Sequence, residues 1–255
     1  MRREIPIMKK KLGIYLTGAV AALLLIAVIV LSCLLIFGRC EKGGEKIPDH
    51  LQYYNNKCQS YRTQNVNLAK GQVVFLGDSI TDLYILDEHY ADLPLAAYNR
   101  GIGGDTTQGV LDRLQVSAFD IAPSVIVLMI GTNDINGNYE KAGILQRYEK
   151  IIDEIYKALP DVKLFCMSII PQNDVLETYS AIKVEKTTEI ILEVNGQIKA
   201  LSEKKGATYL DLFSCLADEN NRLIRAYSDD GLHLNNNGLA VWTGLLKPYL
   251  LAEFE

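Results

Sequence analysis

The chain has 255 residues, 22% of them charged, and a net charge of −5. That length suits one large or two modest domains, and the acidic balance argues against nucleic acid or an anionic membrane surface as partner. The five cysteines include no CxxC and no metal-ligand cluster, so they suggest neither a disulfide framework nor a metal site.

The first eleven residues carry Arg2, Arg3, Lys9, Lys10 and Lys11 against a single Glu4. Residues 12–38 then hold no charge at all. At about 1.5 Å per residue this stretch makes roughly 40 Å of helix, enough to cross a hydrocarbon core of about 30 Å with tilt. A secretory signal has a shorter apolar core of about 7–15 residues, so a retained transmembrane helix is expected. Lipidation of Cys33 in VLSC is an alternative, but it would leave LLIFG at the new N-terminus. The basic flank predicts a single-pass protein with a cytoplasmic N-terminus and an extracytoplasmic body.

Residues 39–64 are polar and read as a stalk or lead-in, partly helical around LQYYNNKCQSYR. The regular body is expected over 65–255. GQVVFLGDS opens it as a short β-branched strand stopped by glycine, and Gly77 would let the chain turn sharply off it. LAAYNRG is a second strand candidate. PSVIVLMIGTND is the clearest, a run buried on both faces, followed by DVKLFCMSIIP and ATYLDLF. Cys166, inside the fourth run, reads as a small buried hydrophobe. TTQGVLDRLQV, YEKAGILQRYEKIIDEIYKAL, VEKTTEIILEVNGQIKALSEKKG and NNGLAVWTGLLKPYLLAEF have helical spacing. Alternating strands and helices predict one α/β domain with a parallel sheet covered on both faces.

Ligands in such sheets bind beyond the carboxyl ends of the strands, which singles out four loops. Ser79, after the first strand, is placed as a nucleophile would be, although alone it reads as a helix cap. Asp78 beside it reads as a loop-bracing acceptor. NRGIGGDTT lacks the third glycine of GxGxxG and the lysine of a P-loop. It is either a tight turn capped by Asp105 or Thr106, or a source of backbone N–H groups for an oxyanion. Asn133 in GTND offers a neutral amide donor or an Asx-turn. In SDDGLHLNNNG, Asp230 could orient His233 as a general base. The four loops together supply a nucleophile, a base, its orienter and oxyanion donors.

FLGDSIT, NRGIGGDTT, GTND and DGLHLN resemble, in order, the four blocks of the SGNH hydrolases, also called GDSL lipases and acylhydrolases. GIGGDTT followed by VLDRL is especially similar to the platelet-activating-factor acetylhydrolase-like and bacterial esterase branch. The resemblance implies a three-layer α/β/α sandwich with a five-stranded parallel sheet, the flavodoxin-like SGNH fold. It further implies Ser79 as nucleophile, His233 as base, Asp230 as orienter, and an oxyanion hole from Ser79 N–H, Gly104 N–H and the Asn133 side chain. The expected function is a membrane-anchored serine esterase acting on small-molecule, lipid or glycan esters without metal or organic cofactor. A glycan deacetylase with the same residues is one alternative. A silent lipid- or carbohydrate-binding module is another.

Overall fold

The computed structural model describes residues 48–173 and 184–254. Helix α1 is Asp49–Asn65. Strand β1 (Val73–Gly77) leads into the single turn α2 (Ser79–Asp82), then α3 (Leu86–Tyr90) and β2 (Ala97–Gly101). Short helices α4 (Thr107–Asp112) and α5 (Leu114–Ser117) precede β3 (Val125–Met129). α6 (Thr132–Asn136), α7 (Lys141–Ala158), β4 (Lys163–Met167) and α8 (Val184–Lys205) follow. β5 (Thr208–Leu210), α9 (Leu212–Leu216) and α10 (Asn236–Ala252) complete the fold.

The five strands pair in parallel in the order β2-β1-β3-β4-β5. β1 and β3 are buried at every position because both faces are covered. Side-chain alternation along a strand divides these apolar runs between two cores. Val74, Leu76, Ile126 and Leu128 join one core with Ile144, Ile151 and Ile155 of α7 and Ile191, Val194 and Ile198 of α8. Val73, Phe75, Val125 and Val127 face the other, formed with Ile80, Tyr84 and Tyr90 and with Leu239, Trp242 and Leu246 of α10. The result is the expected helix–sheet–helix layering around five parallel strands.

Two expectations are corrected. Part of the lead-in belongs to the body: α1 packs on it through Cys58 and Tyr61, which meet Ile102 and Val116, so the compact unit begins at Asp49. Polar anchors add to that packing, since Tyr61 Oη donates to Gly101 O at 2.5 Å and Asn65 Nδ2 to Val116 O at 2.8 Å. Gly77, in turn, is required by close packing. A Cβ there would lie 2.2 Å from Thr81 Oγ1 and 2.4 Å from Met129 O.

The predicted membrane span 12–38, the tail 1–11 and Cys33 lie outside the described residues. Among those described, no helix is long and apolar enough to cross a membrane. Cys166 is buried, as expected for a small hydrophobe, and Cys58 is buried as well.

Candidate active site

The carboxyl ends of the strands bring the four loops together. β1 ends at Gly77, and the chain turns at once into α2. The cap of that turn is Asp78: its Oδ1 accepts the Ile80 N–H at 3.0 Å. Ser79 is thereby left as the first helical residue, with its side chain available. The serine-cap reading therefore passes to its neighbour. Asp78 is fully buried and its Oδ2 has no partner among the described residues. Burial pushes its carboxyl up to about 7, against the pull of the Ile80 N–H.

Ser79 Oγ lies 2.9 Å from His233 Nε2, and His233 Nδ1 lies 2.7 Å from Asp230 Oδ2. The Asp230 Oδ1 atom accepts the backbone N–H groups of His233 at 2.7 Å and Leu232 at 2.8 Å. Gly231, with φ of +84°, makes the reversal that allows this, and its N–H donates to Ser228 Oγ at 2.8 Å. Burial works to raise the Asp230 pKa, but the His233 side chain and these N–H groups prevail and hold it below the usual carboxylate range. An ionised carboxylate can only accept hydrogen bonds, so a neutral imidazole at His233 carries its proton on Nδ1 and leaves Nε2 to accept from the Ser79 hydroxyl.

The glycine-rich loop presents two successive N–H groups with different fates. Gly103 N–H donates to Asp82 Oδ2 at 3.0 Å. Gly104 adopts φ of +77°, a left-handed geometry that favours glycine, and its N–H makes no hydrogen bond among the described residues. The Ser79 N–H is likewise unpaired among them. Asn133 Nδ2 donates to Asp105 O at 2.8 Å, which fixes the amide plane against the same loop. Of the cap alternatives in this loop, Thr106 takes the role, accepting from Gly109 N–H.

Sequence reasoning missed the braces beneath these loops. Arg113 is buried and joins two of them, the loops after β1 and β2: Nε to Asp105 Oδ2 at 2.7 Å, one terminal nitrogen to Arg100 O at 2.7 Å, the other to Gly77 O at 2.8 Å. Burial raises the Asp105 pKa even so, with Arg113 opposing the shift. Asp134, wholly buried, accepts Thr107 N–H at 2.8 Å and Thr107 Oγ1 at 2.5 Å, and pairs with Arg147 at 3.1 Å. A basic residue on the apolar side of VLDRL was the one available sequence signal for Arg113.

A cleft of about 860 Å³ adjoins Gly103 and Gly104 between α1 and α4–α5. Its walls include His50, Asn55, Gln59, Arg62 and Asp112, but neither Ser79 nor His233.

The GDSL-like lipase/acylhydrolase family matches residues 75–241, which contain every loop just described. The chain belongs to that family of lipases and acylhydrolases. It is similar to platelet-activating factor acetylhydrolase IB subunit alpha2 from Homo sapiens, at 36% identity over 105 residues. That match spans 40% of this chain and 45% of the relative, so the chain spans under half the length of this relative. A Streptococcus pneumonia structure named for platelet activating factor is 30% identical, with a TM-score of 0.73 over 78% of this chain and 94% of the other. A GDSL-like lipase from Bacteroides thetaiotaomicron shares the fold at 22% identity and a TM-score of 0.67, over 78% of this chain and 99% of the other.

Proposed function

We propose that the chain is a membrane-anchored serine esterase in which Ser79 attacks a carboxylic ester, His233 is general base and then acid, and Asp230 orients it. The observation supporting this is the hydrogen-bonded series Ser79 Oγ–His233 Nε2, His233 Nδ1–Asp230 Oδ2 beside two N–H groups, of Ser79 and Gly104, that are unpaired among the described residues. As Ser79 Oγ bonds to the carbonyl carbon, its proton passes to His233 Nε2 and the carbonyl oxygen becomes an oxyanion. Ser79 N–H, Gly104 N–H and the second Asn133 amide hydrogen are its donors. Loss of one such donor costs roughly 10²–10³ in rate. Collapse breaks the bond to the alcohol oxygen, which takes the proton from His233. Water then gives a proton to His233 and attacks the acyl carbon, and the acid leaves as the proton returns to Ser79.

Residues 12–38 supply the anchor, and the basic flank keeps the first eleven residues in the cytoplasm with the body outside. The active site is tested with a fluorophosphonate probe: the protein should label, and Ser79→Ala should not. Undiminished labelling of that variant would remove Ser79 from the role.

The cleft beside Gly104 favours a second reading of the substrate. Imidazole, amide, guanidinium and carboxylate groups line it together with Leu51, Tyr54, Val116 and Tyr139, and such a mixed wall suits an acetylated glycan, which presents both hydroxyls and apolar ring faces, better than a long acyl chain. Comparing acetyl, butyryl and long-chain p-nitrophenyl esters with acetylated oligosaccharides distinguishes the two. No turnover of any ester would instead favour a silent binding module.

A further inference from the structure

We propose that Asp82 is a positioning residue through which helix α1, by way of Tyr53 and Lys57, fixes the oxyanion loop over Ser79. This rests on the proposed serine esterase reaction. Asp82 closes the single turn that Ser79 opens, its N–H donating to Asp78 O at 2.9 Å. Its carboxylate accepts from three elements at once: Lys57 Nζ at 2.6 Å on Oδ1, Tyr53 Oη at 2.6 Å and Gly103 N–H at 3.0 Å on Oδ2. Only 11% of the Asp82 side chain is exposed. Burial, then the neighbouring Asp82 carboxylate, pushes the Tyr53 phenol up to about 12, so at neutral pH it donates.

The consequence falls on Gly104. With Gly103 N–H held by Asp82, the chain takes its left-handed step at the next residue and leaves Gly104 N–H unpaired among the described residues. The loop is also gripped on either side from the same helix. Tyr61 Oη donates to Gly101 O at 2.5 Å and Tyr54 Oη to Gly109 O at 2.9 Å. A Cβ on Gly103 would lie 4.0 Å from Ser79 Cβ, so displacement of the loop is felt directly at the nucleophile. Misplacement of a donor by about 1 Å can cost as much as 10²-fold in rate. None of Tyr53, Tyr54, Lys57 and Tyr61 lies in the segment 75–241 that matches the family, so this brace comes from outside the family segment.

The test uses the full-length protein and p-nitrophenyl acetate, with kcat taken per fluorophosphonate-reactive site so that unfolded protein does not count. Tyr53→Phe and Lys57→Met, singly and together, should lower kcat with KM within twofold. The pair should lose about tenfold. Lys57→Arg, which keeps a charged donor, should recover most of the rate. Tyr53→Phe alone removes one hydroxyl from an exposed residue, so it remains informative if the pair folds poorly. A structural role alone would lower the melting temperature and leave kcat per site unchanged, and that result would overturn the inference. Equal losses in Lys57→Arg and Lys57→Met would overturn it too. A wild-type protein without esterase activity would overturn the proposed function, and this inference with it.

Discussion

Asp78→Asn tests whether the buried carboxyl beside Ser79 is carried as a neutral acid. The wild-type side chain keeps Oδ1 on the Ile80 N–H at 3.0 Å and leaves Oδ2 buried without a partner among the described residues. Burial, aided by the negative charges of Asp105 and Asp134, raises its pKa from 3.8 to about 7. A carboxyl with a raised folded pKa contributes its stability fully below the unfolded value. That contribution is lost as pH rises through the folded value. With a linkage slope of about 1.4 kcal/mol per pH unit per proton, most of it disappears between pH 5 and pH 8, a loss of about 2–3 kcal/mol. Asparagine caps a helix about as well as aspartate and cannot ionise. The stability of Asp78→Asn relative to wild type should therefore improve by about 2–3 kcal/mol from pH 5 to pH 8. Urea unfolding followed through the sole tryptophan, the fully buried Trp242, reads this directly. A wild-type-minus-variant difference equal at the two pH values would refute the assignment.

Two further outcomes are expected. Asp230→Asn removes the acceptor that sets the His233 tautomer, and kcat for p-nitrophenyl acetate should fall by roughly 10⁴ while the fold is retained; steady-state kinetics alongside circular dichroism would check both halves. Arg113→Met strands the Asp105 carboxylate, whose side chain is 3% exposed, and should cost about 3–5 kcal/mol in urea unfolding at pH 7. A loss below about 1 kcal/mol would mean that the guanidinium does not carry the brace.

The strands and the four reactive loops were legible because their signals are local. VVFLG and VIVLM are continuous apolar runs, three of the loops follow directly from strand ends, and the fourth leads into α10. Helix α1 was legible as a helix around LQYYNNKCQSYR but not as part of the body, because it is held there chiefly by tyrosine hydroxyls and a lysine. Only Cys58 and Tyr61 are buried along its length, so no apolar stripe marks it as part of the body. Arg113 with Asp105 and Arg147 with Asp134 escaped for another reason. Neither spacing, eight and thirteen residues, is that of a helix i,i+3 or i,i+4 pair: Arg113 reaches Asp105 back along α4, and Arg147 of α7 reaches Asp134 of α6. The exchange of cap from Ser79 to Asp78 turns on a single backbone step, which a Gly-Asp-Ser string leaves open.

Those buried ion pairs also bear on why the loops stay in place. An apolar replacement of a buried pair is often as stable as the pair itself, so stability alone gives little reason for Arg113 and Asp105. A guanidinium, however, has a fixed fork of donors, and here it reaches the ends of two neighbouring strands, Gly77 O and Arg100 O, as well as the loop beyond them. Asp134 does the same from the third loop, binding the start of α4 at Thr107. Apolar packing would hold these segments together without specifying their angles. Oxyanion donors act only when aimed at one point, so in the proposed reaction directional bonds are the suitable means of holding Gly104 and Asn133 to Ser79.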